Sequence, residues 1–565
     1  MIIVGLSPTV HESAVGIVVD GHLVAAASEE RFTRKKNQGG FPHHALQFAL
    51  KHAGVTSREV DHVAYAALPY VKERSVDLQA FFQNVRYTAG CGGDVRPRAL
   101  HLLNYSRNLL VNKEWQSWGG TERRMLSDLA DYGLADKVSY IDHHLSHVAS
   151  AYYASGFDTA LAVSLDGYGS GASGSFYHAR DGRLSLLTRI PYPHSLGMFY
   201  RRLTQGLGFE PNRHEGKIVG LAAYGDPHKL YGRIASRFDL SKSDYYRFKD
   251  GQNALFEREL TNSYSAEDIA AAYQKVLEDI VQHYIRIYLK KYNLNRIVAA
   301  GGVFANVKMN QRIAQIPEVD EMFIFPAMGD GGVGVGAALA LAGELYERKP
   351  QRLQNIFLGP AFTNDEIEGS LKSAGLDFQY HPEIEKVIAR LVANGKIVAR
   401  FDGRMEFGPR ALGNRSILVK ATEASINQSL NARLKRTEFM PFAPATMAGS
   451  HNELYHDFSK VKHAAEFMTI TLDCTSMMQR EAPAAVHVDG TARPQLVTEE
   501  TNPSFYRILR HYKDLTGLWN MINTSFNIHE EPIVCTPADA IRSFLTGQLD
   551  YLAAGPFLVA ANGHS

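Results

Sequence analysis

Two histidines four residues apart, His143 and His147, lie in the run Asp142-His143-His144-Leu145-Ser146-His147. If the chain is helical here, both imidazoles share one face, about 6 Å apart along the axis, which suits chelation of one divalent ion. Asp166 follows, at the end of an apolar run at 160–165, and offers a hard oxygen ligand. The glycines after it, Gly167 and Gly169 among them, fill a polar stretch over 166–174 that reads as a loop able to cradle phosphate. Histidine pairs at this spacing are also ordinary core or surface residues, so other segments must discriminate. Metal, carboxylate and phosphate loop together point to chemistry on a nucleotide.

Two further stretches add to this. Gly301 and Gly302 follow a buried strand at 297–300 and lead through Asn306 into a helix, a junction where backbone N–H groups can face a ligand. Asp330, in Gly329-Asp330-Gly331-Gly332, sits between a strand at 322–325 and a helix at 333–346 rich in small residues. The carboxyl end of a strand is a common ligand position in α/β sheets. Much later, Arg404, Arg410 and Arg415 are separated by Gly and Pro residues. Such arginines read as poor core material and as clamps for phosphate oxygens. Lys435, Arg436 and Arg493 extend the cationic set, and Asn523, Thr524 and Asn527 supply amides and a hydroxyl after an apolar run at 518–522. Basic side chains beside turns, in a chain of balanced charge, suit a small anionic ligand.

The elements that must position these residues show an internal pattern. Strands at 2–6, 14–19 and 23–27 are joined by a polar loop at 7–13 and an Asp20-Gly21 turn. Strands at 160–165, 175–178 and 184–187 are joined by the 166–174 loop and an Asp181-Gly182 turn. The order recurs about 160 residues later, and two such facing halves describe an actin-like ATPase architecture. A helix is expected at 42–52, ended by Gly54, and a strand at 62–66. A long helix follows the cap Ser265, with a core stripe from Tyr273 to Tyr288. Residues 101–140 read as helical and polar, 191–225 as loop-rich and 226–264 as an irregular insertion. The charged, proline-bearing run at 347–352 reads as a domain boundary, and a strand is expected at 396–400.

Composition sets outer limits. The chain has 565 residues, 60 basic against 59 acidic, a net charge of +1, and 45% hydrophobic residues. It is long enough for several cores, and its balance argues against a general nucleic-acid or membrane-surface binder. The first residues lack a basic stretch, and no apolar run of about 18 residues occurs, so neither a signal peptide nor a membrane span is expected. Cys91, Cys474 and Cys535 are scattered, as in a cytoplasmic protein without disulfides.

Taken together, these stretches resemble the O-carbamoyltransferases of the nodulation, cephalosporin and tobramycin type. The resemblance rests on His11-Glu12-Ser13-Ala14, Glu29-Glu30-Arg31-Phe32, His143 to His147, and Glu215-Gly216-Lys217 through Ala223-Tyr224-Gly225. It continues with Gly301 to Asn306, Glu406 to Gly413, Pro441-Phe442-Ala443-Pro444, His487 to Arg493, and Asn523 to Asn527. Residues 68–135 and 226–264 carry no matching motif, and the segment around Lys435 and Arg436 departs from the family pattern.

The resemblance implies an α/β protein of two domains. Residues 1–350 would be a duplicated actin-like domain, similar to a threonylcarbamoyl transferase. Residues 351–565 would be a smaller α/β domain similar to threonylcarbamoyl-AMP synthase. The implied reaction uses ATP, with Mg2+, to turn carbamoyl phosphate into carbamoyladenylate in the second domain. The first domain then moves the carbamoyl group to a hydroxyl of a small molecule, such as a secondary metabolite or antibiotic. His143, His147, Asp166 and Asp330 would hold Fe2+ or another divalent metal, which selects His143 over His144. His11 and Lys217 would be catalytic, His11 removing the proton of the attacking hydroxyl. Gly167, Gly169, Gly301, Gly302, Asn306, Arg410, Arg415, Lys435, Arg436, Arg493, Asn523, Thr524 and Asn527 would bind the nucleotide and carbamoyl phosphate. A homodimer, with neither nucleic acid nor membrane as partner, completes the expectation. The competing readings are a tRNA threonylcarbamoyladenosine-type enzyme, which should show a basic face, and an actin-like small-molecule kinase or ATPase, which needs no His-x-x-x-His site.

Overall fold

The apolar runs near the N-terminus form β1 (Ile2–Ser7), β2 (Ala14–Val19) and β3 (His22–Ser28), followed by β4 (His62–Tyr65) and β5 (Val138–Tyr140). Their sheet order is β3-β2-β1-β4-β5, with β1 antiparallel to β2 and parallel to β4, and β4 parallel to β5. A second sheet is built from β6 (Thr159–Gly169), β7 (Ala172–Arg180), β8 (Arg183–Pro191) and the strands Arg296–Ala300 and Glu321–Ile324. It repeats the order, with β6 antiparallel to β7 and parallel to Arg296–Ala300, which is parallel to Glu321–Ile324. Asp20-Gly21 and Asp181-Gly182 have positive φ at both residues. That is the geometry a two-residue hairpin needs to match the strands' twist.

This computed structural model describes residues 1–7, 11–90, 113–249, 254–435 and 440–561. The chain gathers into two units. One comprises Met1–Val24, Gly39–Pro42 and Ala49–Arg352; the other comprises Ala25–Gln38, His43–Phe48 and Leu353–Ser565. The second unit therefore draws two segments from the N-terminal part of the chain, which a boundary at 347–352 does not foresee.

In the first unit the helix Val333–Tyr346 packs on β1 and on the helix His143–Ser155. Its small residues permit the approach: a Cβ on Gly5 would lie 1.8 Å from the Gly334 carbonyl oxygen, and one on Gly336 would lie 1.8 Å from that of Ser146. No side chain fits at either contact. The helix Ala266–Tyr292 starts at Ser265, whose hydroxyl accepts from Asp268 N–H, and buries the expected stripe.

Several expectations are corrected. The polar loop over 166–174 does not form. β6 runs on to Gly169 through an irregularity after Leu165, and Ser170-Gly171 makes a tight turn into β7. The loop-rich stretch 191–225 contains helices at Leu196–Gly206 and Glu215–Leu221; the first is capped by Ser195, which accepts from Met198 N–H. Within 226–264, short helices and a strand pair surround a buried Arg237–Glu257 ion pair of 3.0 Å. The polar helix at Lys113–Asp131 gives way to β5 before residue 140; residues 101–112, and Cys91, lie outside the described residues.

The second unit is a mixed α/β body. Among the described residues its main sheet runs through Gln379–Tyr380, Phe557–Ala560, Tyr551–Ala554, Val398–Phe401, Arg415–Lys420, Asn520–Ser525, Ala443–Met447 and Gln495–Val497. The helix Pro503–Thr516 lays Phe505, Ile508, Leu509 and Tyr512 into the core beside Val398, Leu418 and Met521. Among the described residues no helix is long and apolar enough to cross a membrane.

Candidate metal centre and active site

The helix His143–Ser155 begins at Asp142, whose carboxylate accepts from Leu145 N–H at 3.0 Å and pairs with Arg189. An acidic residue here satisfies an otherwise unpaired N–H and complements the helix dipole. One turn on, His143 Nε2 and His147 Nε2 stand 3.1 Å apart. Asp166 Oδ2 is 3.1 Å from the first and 3.6 Å from the second; Asp330 Oδ1 is 3.5 and 3.6 Å away. The four donor atoms lie within 4.8 Å of one another. Ligands about 2.0–2.2 Å from one ion stand about 3.0–3.6 Å apart at octahedral or tetrahedral angles, so the set fits a single ion. Two imidazoles with two carboxylates suit a first-row divalent metal.

The two aspartates are held from behind. Gly302 N–H donates to Asp166 Oδ1 at 3.0 Å, and Ser195 Oγ donates to the Asp166 carbonyl at 3.1 Å. Ser7 Oγ donates to the Asp330 carbonyl at 2.5 Å. His144 faces away, 2.8 Å from Ser164 Oγ. A Cβ on Gly169 would lie 2.1 Å from His143 Cδ2, and one on Gly301, whose φ is +110°, would lie 2.2 Å from the Leu165 carbonyl oxygen. Two glycines assigned to a phosphate cradle are therefore taken up otherwise: Gly169 makes room for an imidazole and Gly302 orients a carboxylate. Gly167 has open space at its Cβ position.

Charge follows geometry. Burial opposes a proton on His147, but Asp166 and Asp330 outweigh it and push the imidazole up to about 9. Burial, reinforced by His143, pushes His144 down to about 3. Burial opposes charge on Asp166 too, yet hydrogen bonds from His143 and His147 hold its carboxyl well below the usual range.

Of the other expected residues in this unit, His11 is half-buried in a bend before β2. Its neighbour Glu12, at φ 62°, accepts from Gly331 N–H at 3.3 Å, which ties the His11 loop to the Asp330 loop. Lys217 is buried in the helix Glu215–Leu221. Asn306 is buried: its side-chain carbonyl caps the next helix through Met309 N–H at 3.0 Å, and its amide donates to Gln274 at 2.8 Å.

In the second unit Arg415 corrects a sequence expectation. It is fully buried and its guanidinium donates to the carbonyls of Asp402, Asn414, Pro360 and Gly403, with its charge 3.8 Å above the Phe401 ring. It organises a loop, and its two Nη atoms are committed to carbonyls rather than offered to a phosphate. Asn523 is likewise buried, donating to Gln495 at 2.7 Å and to the Ala411 carbonyl at 3.2 Å. Asn527 ties down the carbonyls of Ile528 and Glu531. Arg410, Arg493 and Thr524 are partly exposed, and Lys435 is exposed at φ 56°. Arg436 lies outside the described residues.

Sequence reading missed one group altogether. Glu73 and Asp77, one turn apart on the helix Tyr70–Gly90, are buried, and the Tyr168 hydroxyl stands 3.1 Å from the first carboxylate and 3.2 Å from the second. The signal available was two acids at i and i+4 among outward-facing Val71 and Leu78, a pattern that hydrophobic periodicity does not detect.

Residues 2–339 match the family model of the carbamoyltransferase N-terminus, and residues 389–561 that of the carbamoyltransferase C-terminus. The chain belongs to the carbamoyltransferase family. This carbamoyltransferase is similar to Nodulation protein NolNO of Sinorhizobium fredii, at 31% identity over 97% of this chain and 79% of that protein. It is also similar to 3'-hydroxymethylcephem-O-carbamoyltransferase of Streptomyces clavuligerus, at 24% identity over 75% of this chain and 80% of the relative. An uncharacterized Synechocystis protein is 32% identical over 99% of this chain and 96% of its own length. The (R)-2-hydroxyglutaryl-CoA dehydratase component A of Acidaminococcus fermentans covers 60% of the chain and 96% of its own, at 14% identity and a TM-score of 0.33, too low to bear on fold or function. As a carbamoyltransferase the protein is a group-transfer enzyme, and the kinase or ATPase reading falls away.

Proposed function

We propose that this carbamoyltransferase, with Mg2+, hydrolyses carbamoyl phosphate to carbamate and inorganic phosphate. A carbamate oxygen then displaces pyrophosphate from the α-phosphorus of ATP to give carbamoyladenylate, and the carbamoyl group passes to a hydroxyl of a small molecule such as a secondary metabolite or antibiotic with release of AMP. The observation that carries the reading is the convergence of His143, His147, Asp166 and Asp330 in a chain matched along most of its length by carbamoyltransferase family models. The cephem O-carbamoyltransferase relative supports a small hydroxyl acceptor, and the balanced charge disfavours a tRNA. The repeated strand order of the first unit supports an actin-like, duplicated fold for the transfer half.

In this reading the four side chains hold Fe2+ or another divalent ion. What such an ion supplies is Lewis acidity toward a carbonyl or phosphoryl oxygen. His11 takes the proton of the acceptor hydroxyl as it attacks the adenylate's carbonyl carbon and AMP leaves, a role imidazole fills at neutral pH. The buried Lys217 lends positive charge to the same half. Gly167, with open space at its Cβ position, leaves backbone room for the adenylate's phosphate. In the second unit Arg410 and Arg493, with Thr524 and Lys435, offset the phosphate charge of ATP and carbamoyl phosphate during adenylate formation.

The test is a pair of variants assayed for two products. Arg493→Ala is expected to lower pyrophosphate release and carbamoyl transfer together. His11→Asn is expected to abolish transfer while pyrophosphate release continues as adenylate hydrolyses. Equal loss of both products in His11→Asn, with metal content intact, refutes the two-step assignment. Screening hydroxylated natural products for a mass gain of one carbamoyl group identifies the acceptor.

A further inference from the structure

The second unit's share of the N-terminal chain includes Glu29-Glu30-Arg31-Phe32, a run to which neither proposed half-reaction assigns a role. The side chains are costly ones to place where they are. Arg31 is 6% exposed, and its Nη2 donates to the Gly408 carbonyl at 2.8 Å. Glu30 Oε1 lies 3.5 Å from the same nitrogen. A guanidinium withdrawn from water persists only where its donors meet acceptors in good geometry. Phe32 packs against Met405, Ala411, Ile533 and Cys535. Arg34 donates to the carbonyls of Ile533 at 2.7 Å and Pro532 at 2.6 Å, and its Nε lies 3.4 Å from Asp539. Glu29 fixes the segment in turn, accepting from the N–H groups of His44 at 3.2 Å and Ala45 at 2.9 Å.

The contacts fall on two loops. Gly408, at φ 118°, stands two residues before Arg410, and Pro409 between them has no N–H to hold the peptide. Arg31 thus holds the one carbonyl from which the Pro409-Arg410 step departs. Arg34 closes the other loop, where Asn527 already ties the Ile528 and Glu531 carbonyls.

We propose that Arg31 is a positioning residue for adenylate formation, setting from an N-terminal segment the loop that carries Arg410. The inference rests on the reading of Arg410 as a phosphate-binding residue. It makes the adenylate-forming half of the enzyme discontinuous in sequence, so that residues 351–565 alone lack one of its supports.

The test is a double-mutant cycle in the full-length enzyme, read as carbamoyl-phosphate-dependent exchange of labelled pyrophosphate into ATP. Arg31→Gln is expected to raise KM for ATP about tenfold, the scale of one charged hydrogen bond, with a smaller change in kcat. Arg31→Lys, which keeps one donor, is expected to recover part of the loss. Arg410→Ala is expected to raise KM further, and the double variant to match Arg410→Ala alone within about twofold, because a misplaced Arg410 has nothing more to lose. If Arg31→Gln does not fold, Arg31→Lys with Arg410→Ala completes the same cycle. An unchanged KM in the Arg31 variants, or losses that multiply in the double variant, overturns the positioning role and leaves the proposed reaction standing. An unchanged KM in Arg410→Ala overturns the reading of that loop and the inference with it.

Discussion

Glu73 and Asp77 give the sharpest quantitative expectation. Both are buried, at 3% and 1% exposure, and both approach one tyrosine hydroxyl. Burial pushes Glu73 up from 4.5 to about 7, and burial with the charge of Glu73 pushes Asp77 up from 3.8 to about 8, while the Tyr168 hydrogen bond opposes both. Carboxyls raised in the native state stay protonated where the unfolded chain has already ionised. Their contribution to stability is therefore fully present below the unfolded values, near pH 4, and is lost as pH rises through about 7 to 8. For Glu73 alone, the change from 4.5 to about 7 corresponds to about 3 kcal/mol of stability lost by pH 9. The perturbation is Glu73→Gln with Asp77→Asn, which keeps size and hydrogen bonding to Tyr168 but removes the titration. Denaturant unfolding of the first unit is followed at pH 5 and pH 9, with chelator throughout so that metal release does not enter. His147, raised to about 9, also loses its contribution as pH rises, but it does so in both proteins and cancels. Wild type is expected to lose at least about 3 kcal/mol more than the double variant between the two pH values. Parallel pH profiles would refute the account of the pair.

Three further perturbations separate ligands from scaffolding. Asp330→Ala is expected to lose the bound metal, and full occupancy in metal analysis removes Asp330 from the set. Gly169→Ala puts a Cβ 2.1 Å from the His143 ring; metal affinity should fall at least about tenfold with helix content unchanged, and wild-type affinity contradicts the packing argument. Arg415→Met strands the carbonyls of Asp402, Pro360 and Gly403, so stability should drop by at least about 3 kcal/mol; a stable variant with a raised KM for ATP restores Arg415 as a ligand.

The convergence of His143, His147, Asp166 and Asp330 was legible because its signals are local. Four-residue spacing places His143 and His147 on one helical face, Asp142 marks the helix start, and Asp330 stands at a strand's carboxyl end. The glycines after Asp166 misled because glycine clusters ordinarily mark loops; here they lie in and beside β6, where an imidazole crowds the backbone at Gly169. Arg415 misled for a complementary reason. Charge argues for a surface, and the ring of carbonyls that receives it comes from residues 360, 402, 403 and 414, whose convergence no local pattern encodes. The membership of Ala25–Gln38 in the second unit rests on contacts to Gly408, Ile533 and Asp539, which hydrophobic periodicity cannot convey.

The central claim is that carbamoyl phosphate is activated as an adenylate before any acceptor is engaged. The direct measurement is incorporation of labelled pyrophosphate into ATP by the metal-loaded enzyme, with carbamoyl phosphate present and no acceptor added. The account predicts exchange that requires carbamoyl phosphate and falls in Arg493→Ala. Absence of exchange, together with carbamoylation of an acceptor at full rate without release of AMP and pyrophosphate, would contradict it.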